Sequence, residues 1–452
     1  MNWVIKTGTT RQFLCPIIQF FPLTKKMLAR NLFRRCLSTQ RRLILGIETS
    51  CDDTGVAIVD GVDGSIVFEA LSSQWSTHAP HGGVVPKLAK RDHEINLPRL
   101  LGEAEKAIGS FEHLSGVAAT AGPGLALCLR VGYRTGRELA NQKNLPFIAV
   151  NHLEAHLLVP RMEQQTKLDF PFLAMLVSGG HCMLLLTRGV NDHVRLGTTH
   201  DDSLGEAYDK VARLLGLGFG DYEDGGGGGA ALERLAKEGD EDTIPFPVPL
   251  KHRKDCMFSF SGLKTAVFLA CEKFGGEINM SHQDRANVAA SFQKAARIHL
   301  QQRLKHAMSW CDGEVARGTL ESAPTKVVVT GGVASNMYLR DHLTMVVNDR
   351  NEDRRKEMKN VVAVEREEKR EEKREERMSD MEIVFPPLRL CTDNGVMVAW
   401  TGHERMSLGM VDDSTPPEDG IELFKTRWPL GNMPLVKSKI GRILKDSPNL
   451  AL

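Results

Sequence analysis

Two histidines four residues apart are the part of this sequence that points most directly to chemistry. They lie in the segment Asn151-His-Leu-Glu-Ala-His156. In an α-helix, a spacing of four residues turns only about 40° beyond a full turn, so both imidazoles point the same way and can share a metal ion. The apolar run 147–150 predicts a buried strand just before them, and sites on α/β sheets usually follow such strands. The alternative is a pair of surface histidines.

A metal site of this kind needs a third ligand, and Asp393 is our choice. It lies in the turn Leu390-Cys-Thr-Asp-Asn-Gly395, directly before an apolar stretch that predicts a helix. Asp393 could instead be only the N-cap of that helix. Two neutral imidazoles and one carboxylate leave positions open on a metal ion, which suits catalysis. We therefore expect one divalent ion per subunit, zinc or iron.

A strand-turn-strand pattern occurs twice and predicts a duplicated α/β fold. The apolar runs 43–47 and 55–59 flank a polar turn, and the runs 172–177 and 182–186 flank Ser178-Gly-Gly180 roughly 130 residues later. We assign residues 41–160, with 400–425, to one lobe and residues 161–400 to the other.

Two further glycine-rich segments could hold a phosphate or a ribose. Residues 326–336 run from a buried strand through Gly331-Gly332 into a helix that begins near Met337. Five glycines, 225–229, precede a second helical stretch, and only the Gly228-Gly229 end lies next to the helix. Bare backbone N–H groups and a helix N-terminus favour anions.

Two other functions compete at this stage. A metalloprotease places its general base directly after the first histidine, whereas Glu154 comes two residues after His152, about 200° around the helix, and should face away. A phosphotransferase would use duplicated lobes and glycine turns for ATP, with Asp52 and Asp53 on Mg²⁺. That function leaves the histidine pair unexplained.

Charge is distributed unevenly along the chain. The first 47 residues contain nine Lys or Arg and no Asp or Glu, which is typical of a mitochondrial transit peptide, placed at 1–40, and of a protein of the mitochondrial matrix. Removing residues 1–40 leaves 51 basic against 57 acidic residues, so RNA binding would need a local patch. The candidates for such a patch are Lys87, Lys90, Arg91 and the stretch Lys251-His-Arg-Lys254.

Two segments are expected to lie outside the lobes. Residues 347–381 are assigned to a charged insertion, and its stretch from Asn351 to Asp380 has eleven acidic and ten basic residues and no apolar face to dock on a core. Residues 426–452 are assigned to a C-terminal tail. The sequence contains no apolar run long enough to predict a membrane span.

Nine ordered motifs resemble the TsaD family, the tRNA adenosine threonylcarbamoyltransferases, and the resemblance covers about residues 42–425 apart from the insertion. The motifs are Gly46-Ile-Glu-Thr-Ser-Cys-Asp-Asp-Thr54, His81-Gly-Gly-Val-Val-Pro86, Ala121-Gly-Pro-Gly-Leu125, Asn151-His-Leu-Glu-Ala-His156, Leu176-Val-Ser-Gly-Gly-His181, Gly205-Glu-Ala-Tyr-Asp-Lys210, Phe258-Ser-Phe-Ser-Gly-Leu-Lys264, Gly331-Gly-Val-Ala-Ser-Asn336 and Cys391-Thr-Asp-Asn-Gly395. The form of the histidine motif is similar to the bacterial and mitochondrial branch.

The resemblance implies an actin-like, two-lobed fold and transfer of threonylcarbamoyl from its adenylate to adenosine 37 of tRNAs that read ANN codons. It implies a homodimer, with a separate synthase supplying the threonylcarbamoyl-AMP. The family's metal ligands fall on His152, His156 and Asp393. Its adenylate contacts fall on Leu176, Val177, Ser178, Gly179, Gly180, Asp209, Gly229 and Asn336. A polyglycine run replaces the family's shorter turn at Gly229. Asp52 is our candidate for the general base, and the alternative is a purely structural role in its turn.

Overall fold

The computed structural model describes residues 41–163, 167–217, 227–276, 279–362, 380–415 and 423–433, with side chains of the last helical residues, 357–362, left out. The predicted transit peptide, the middle of the charged insertion, Gly225 and Gly226, and most of the C-terminal tail lie outside the described residues. Within the described part of the chain, no helix has both the length and the apolar character that crossing a membrane requires.

The first lobe is built on a five-stranded sheet. Its strands are β1 (Leu43–Glu48), β2 (Asp53–Asp60), β3 (Ile66–Ser73), β4 (Leu114–Gly122) and β5 (Phe147–Asn151), in the order β3-β2-β1-β4-β5. The first three strands are antiparallel neighbours, whereas β4 and β5 run parallel to β1. The helices that follow in the chain are α1 (Trp75–His78), α2 (Pro86–Ile108), α3 (Ala126–Lys143) and α4 (His152–Leu158).

The second lobe repeats this plan. Its strands are β6 (Phe172–Val177), β7 (Cys182–Gly189), β8 (Asp192–Thr198), β9 (Lys326–Thr330) and β10 (Glu382–Val384), in the order β10-β9-β6-β7-β8. Its helices are α5 (Leu204–Leu214), α6 (Gly228–Ala236), α7 (Ser261–Lys273), α8 (His282–Ala316), α9 (Met337–Val362) and α10 (Leu388–Cys391), and the chain then continues into α11 (Gly395–Ser407). An antiparallel three-stranded unit again leads into two parallel strands, which confirms the predicted duplication. The fold is the actin-like, two-lobed α/β fold.

The strands read as continuous apolar runs because both faces of each sheet are covered. On the first sheet, Leu45 and Ile47 pack with side chains of α2 and α3, while Ile44 of the same strand packs with residues of α11. Helix α11 therefore follows the second lobe in the sequence but packs on the sheet of the first lobe. It begins at Gly395, five residues before the predicted return of the chain at 400.

The contact between α11 and the first sheet requires glycine. A Cβ atom on Gly46 would lie 2.2 Å from the carbonyl oxygen of Gly395 and 2.4 Å from the amide nitrogen of Ala399. Both neighbours are helix backbone, which cannot move aside as a side chain can. Strand β1 and helix α11 therefore lie backbone against backbone at this position.

Both ends of the assigned insertion, 347–381, contact the folded core of the second lobe. Helix α9 continues through its first residues to Val362, and Val347 is buried in the core of the second lobe. At the other end, Met381 is buried, and its backbone exchanges two hydrogen bonds with the side chain of Asn351, of 2.8 and 2.9 Å. These two apolar residues flank the charged stretch 351–380 and dock its ends on the core.

Replacing Gly46 by alanine should destabilise the protein strongly. The added methyl group would overlap backbone of α11, and overpacking of this kind costs roughly 1–3 kcal/mol or more. Gly102, inside α2, has no atom within 4 Å of an added Cβ. There, alanine should raise the free energy of unfolding by up to about 1 kcal/mol through helix propensity. Urea unfolding of the two variants measures both changes, and equal stability for them would contradict the close contact.

Candidate active site

The two histidines of the sequence motif are buried side chains of the short helix α4. Asn151, the last residue of β5, caps this helix: its Oδ1 accepts hydrogen bonds from the amides of Leu153 and Glu154, at 2.9 and 3.3 Å. The cap starts the helix at His152, directly after the strand. The rings of His152 and His156 then lie on one side with centroids 4.9 Å apart. The alternative of two surface histidines is therefore wrong.

Helix α4 is enclosed on two sides, which fixes the direction of its side chains. Leu153 and Leu157 pack in a cluster with Leu176 of the second sheet, whereas Ala155 packs with Val396 of α11. All seven residues of the helix are buried. The imidazoles are therefore held by packing against elements of both lobes.

Asp393 completes the group of three. Its Oδ1 lies 3.1 Å from Nε2 of His156 and 3.5 Å from Nε2 of His152. The N-cap of α11 is its neighbour Asn394, whose side chain accepts a hydrogen bond from Met397 N at 2.8 Å. The capping alternative for Asp393 is thus wrong, and its carboxylate is available to the histidines.

The geometry of this group fits a single cation. One donor atom from each of the three residues lies within 4.8 Å of the others. Nitrogen and carboxylate ligands bind Zn²⁺ at about 2.0–2.2 Å, so ligands of one ion are roughly 3–4 Å apart. Two imidazole nitrogens and one carboxylate oxygen suit zinc or iron(II) and leave coordination positions free.

Glu48 orients the first histidine, and the sequence analysis missed this role. The Glu48 side chain is fully buried, and its Oε2 lies 3.2 Å from Nδ1 of His152. Its carboxylate also accepts hydrogen bonds from Ser50 N at 2.6 Å and Thr120 Oγ1 at 2.5 Å. A carboxylate on the second ring nitrogen is the usual partner of a metal-binding histidine. The signal was present in the sequence, as a glutamate that ends an apolar strand.

The charges of the group shift its protonation. Burial lowers the pKa of His152, but the carboxylates of Asp393 and Glu48 outweigh burial and raise it to about 9. Burial likewise raises the pKa of Asp393, but the two histidines outweigh it and hold that pKa well below its usual value. Without metal, a proton on His152 thus offsets part of the negative charge of Glu48 and Asp393. A divalent cation can take the place of that proton.

A cavity of about 510 Å³ opens beside this group. Its wall includes His152 and Asp393, the turn that joins β6 to β7, and Asp52 and Asp209. An added Cβ on Gly179 or Gly180 would meet no atom within 4 Å, so the backbone of the turn faces open space. The cavity therefore brings the candidate metal ligands and a glycine turn of the second lobe to one place.

The cavity wall also includes Trp75, His78, His181 and Arg213, to which the sequence analysis assigned no role. Burial, and then the charges of His152 and His156, lower the pKa of His181 to about 4. His181 therefore presents a neutral imidazole at neutral pH. It follows the Ser178 turn directly, where its amide donates a hydrogen bond to Ser178 Oγ at 3.0 Å.

The other residues predicted to contact the adenylate differ in their burial and in their hydrogen-bond partners. Asp209 and Gly229 meet, since the Gly229 amide donates to Asp209 Oδ1 at 3.2 Å, and burial raises the pKa of Asp209. Leu176 and Val177 have buried side chains, so only their backbone could reach a ligand. Asn336 is buried and engaged, because it donates to Gln293 at 3.1 Å and caps α9. Neither Asn336 nor Gly229 is part of the cavity wall.

Glu154 faces away from the metal ligands, as predicted. Its carboxylate accepts a hydrogen bond from Arg405 Nη1 at 3.0 Å and lies 3.1 Å from His193 Nε2. The helix therefore does not present the general base that a metalloprotease of the His-Glu-x-x-His type requires.

The two buried glutamates near α4 offer a matched test. Glu48→Gln should lower the affinity for zinc by about 10- to 100-fold, because the carboxylate on His152 is lost. Glu154→Gln should leave zinc affinity unchanged and lower the free energy of unfolding, because Arg405 then lacks a charged partner in the interior. Competition with a chromogenic chelator measures the first effect, and urea unfolding measures the second. Equal zinc affinities for the two variants would contradict the role of Glu48.

Comparison with known proteins agrees with the motifs. Residues 65–400 match the family model TsaD, tRNA N6-adenosine threonylcarbamoyltransferase. A probable mitochondrial tRNA N6-adenosine threonylcarbamoyltransferase of Arabidopsis thaliana is 41% identical over 401 residues, which span 86% of this chain and 75% of the relative. An enzyme of the same name from Rhodospirillum rubrum is 43% identical over 86% of this chain and 94% of its own length. A mitochondrial one from Xenopus tropicalis is 38% identical over 82% and 84%. The chain therefore belongs to the TsaD family of tRNA N6-adenosine threonylcarbamoyltransferases.

Proposed function

We propose that this enzyme transfers the threonylcarbamoyl group of threonylcarbamoyl-AMP to the exocyclic amine of adenosine 37 in mitochondrial tRNAs that read ANN codons. The observation that carries the proposal is the shared cavity. His152 and Asp393 line one part of its wall, and the turn 178–180 with Asp209 lines another. A ligand with an amino acid at one end and a nucleotide at the other needs both kinds of surface.

The reaction asks the protein mainly for orientation. The donor is a mixed anhydride, so the amine of adenosine attacks the carbonyl carbon, a C–N bond forms, the C–O bond to phosphate breaks, and AMP leaves. In our proposal, Asp209 accepts a hydrogen bond from a ribose hydroxyl, and the amides of the 178–180 turn donate to phosphate or carbonyl oxygens. Positioning and preorganised donors of this kind supply most of the rate in acyl transfer.

One divalent ion per subunit, zinc or iron, belongs to this proposal, with His152, His156 and Asp393 as its ligands. When bound, the ion supplies Lewis acidity for the donor's carbonyl oxygen or a fixed charge for the threonine portion. Glu48 keeps Nε2 of His152 directed at the site. Asp52, a carboxylate of the cavity wall, is our candidate to accept the proton that the amine loses.

We place the enzyme in the mitochondrial matrix as a homodimer, with the adenylate supplied by a separate synthase. Two observations support the location: relatives from Arabidopsis thaliana and Xenopus tropicalis are named mitochondrial, and the first 47 residues are basic without a single acidic residue. Supply by a separate synthase accords with the chemistry of the site. Threonylcarbamoyl-AMP already carries the activated acyl group, so the cavity needs only one nucleotide.

A phosphotransferase explains the residues less well. Burial, with Asp52 and Asp393 nearby, raises the pKa of Asp53 to about 7. Of the two aspartates that would hold Mg²⁺, only Asp52 is part of the cavity wall. That function also assigns no role to the group of His152, His156 and Asp393.

The first experiment measures the product directly. tRNA is incubated with the protein, a synthase that forms threonylcarbamoyl-AMP, ATP, threonine and bicarbonate, and its nucleosides are analysed by mass spectrometry. Threonylcarbamoyladenosine should form, and the His152→Ala/His156→Ala variant should lose at least about 100-fold in rate, since a bound ion supplies several kcal/mol to the transition state. The exposed pair His113→Ala/His282→Ala is the matched control and should keep full activity.

Two outcomes would contradict parts of this proposal. Undiminished transfer by the double variant, with metal controlled, would remove the histidines from the reaction. Absence of product from folded, metal-loaded protein would contradict a self-sufficient enzyme and direct attention to the phosphotransferase.

A second experiment tests the nucleotide end of the cavity. Asp209→Asn should weaken AMP binding by about 10- to 100-fold, because a hydrogen bond to a charged group is worth roughly 1.5–3 kcal/mol. Titration calorimetry with AMP measures the dissociation constant, and the zinc affinity of the same variant should stay unchanged. Unaltered AMP binding would exclude Asp209 from the adenylate site.

A further inference from the structure

The loop between α6 and α7 carries four consecutive basic side chains. Lys251, His252, Arg253 and Lys254 are all exposed. This stretch was one of two basic patches that the sequence offered, and the reaction described above gives it no role.

A fully buried arginine holds this loop from below. Arg303 of α8 has no solvent exposure, and its guanidinium donates to the carbonyl oxygens of Leu250 at 3.2 Å, Arg253 at 3.0 Å and Asp255 at 2.8 Å. His306, one turn further along α8, lies with Nδ1 3.0 Å from the same Asp255 oxygen. The loop backbone is therefore tied to the core of the second lobe.

The charges in and beneath the loop do not balance. The carboxylate of Asp255 serves both Arg253, at 2.6 Å, and Arg303, at 3.4 Å. For Lys251 and Lys254, the described part of the chain offers no ion-pair partner. The loop residues 250–255 and the Arg303 side chain beneath them thus carry four positive charges and one negative charge. The positive charges belong to Lys251, Arg253, Lys254 and Arg303, and the negative charge belongs to Asp255. Such clustering costs stability in the free protein, which a polyanionic ligand would recover.

The loop lies near the cavity of the active site. Nη1 of Arg253 is 3.3 Å from Nε2 of His200. Three residues after His200, the Ser203 hydroxyl donates a hydrogen bond to the carbonyl oxygen of Gly179, which is part of the cavity wall. Three residues of extended chain span at most about 11 Å. The distance from the basic loop to the cavity is therefore at most about 11 Å plus the length of one or two side chains.

Beside the basic residues runs an open groove of about 540 Å³. Its wall contains the apolar side chains of Phe246, Val248 and Leu250 together with the basic side chains of Lys251 and Arg253. Cationic side chains next to an apolar floor are the combination that single-stranded nucleic acids require, since phosphates pair with the cations and bases cover the apolar surface.

We propose that the loop 251–254 and its groove bind the RNA strand that flanks the adenosine in the cavity. The proposal rests on the function proposed above and identifies the surface that holds the tRNA. The other basic patch is less suited. There, Lys90 is 3.2 Å from Glu94, and Asp92 and Glu94 alternate with the basic residues along the same helix.

Binding of tRNA as a function of salt concentration tests this surface. The variant Lys251→Ala/Lys254→Ala should bind an unmodified tRNA about tenfold more weakly at low salt, and the slope of log K against log salt should fall by about 1–2, because two phosphate contacts are lost. Lys251→Arg/Lys254→Arg keeps the charges and should retain binding. In the transfer assay, the alanine variant should show a raised KM for tRNA with unchanged kcat and unchanged KM for the adenylate.

The matched control removes two lysines from the far ends of helices whose first residues approach the cavity. Lys106 and Lys143 lie in the last turns of α2 and α3, about 25–30 Å along each helix from its start. Lys106→Ala/Lys143→Ala should bind tRNA as the wild type does. Thermal melting should show that both pairs of variants are folded.

The outcomes separate this inference from the function. If the wild type modifies tRNA and the loop variant binds tRNA with unchanged affinity and salt slope, the inference is overturned and the function stands. If the wild type binds tRNA but yields no product, the function fails, and the comparison of the two lysine pairs still decides the loop. An equal loss of binding in both pairs, or wild-type binding to anionic vesicles but not to tRNA, would also overturn it.

Discussion

The candidate site depends on one contact, the packing of helix α11 directly on strands β1 and β2. Three glycines make it possible. An added Cβ on Gly46, Gly55 or Gly395 would lie within 2.2–2.7 Å of backbone atoms across the contact. This close approach places the turn before α11 beside α4, so Asp393 reaches two histidines more than 230 residues earlier in the chain. With a bulkier residue at these glycines, the carboxylate and the imidazoles would be further apart.

The same arrangement handles several buried charges at once. Two glutamates lie in the interior close to α4, and each has its own partners: Glu48 contacts His152, and Glu154 contacts Arg405 and His193. Because removal of one partner from a buried pair costs about 3–5 kcal/mol, neither set of contacts can be changed without loss of stability. The site therefore has one glutamate that faces the ligands and another that connects α4 to α11 and β8. Only the first is placed to influence a bound cation.

The cavity also shows why two lobes are needed. The first lobe and α11 supply His152 and Asp393, and the second lobe supplies the 178–180 turn and Asp209. Helix α4 packs against elements of both lobes. His152 and Asp393 are therefore held in a fixed position relative to the backbone N–H groups of the 178–180 turn. The basic loop at 251–254 is attached to the second lobe through Arg303. In our proposal, these elements together provide surfaces for an amino acid, a nucleotide and an RNA strand.

Local patterns in the sequence were sufficient to predict the elements and several of the site residues. The spacing of His152 and His156 depends only on helix geometry, and the repeated apolar runs around two polar turns depend only on strand periodicity. Both features were read correctly. Even the placement of Glu154 away from the ligands followed from the rotation between helix positions.

Tertiary structure decided everything that depends on distance across the chain. Asn394, not Asp393, became the cap of α11, and Trp75 and His78 line the cavity although no motif in the sequence contains them. The contact of Glu48 with His152 likewise joins residues 104 positions apart. The side-chain amide of Asn336 donates a hydrogen bond to Gln293, and Val347 is buried in the core although a charged segment follows it. Local periodicity determines which residues form an element and which face is apolar, whereas the partners of a polar side chain are set by packing between elements far apart in sequence.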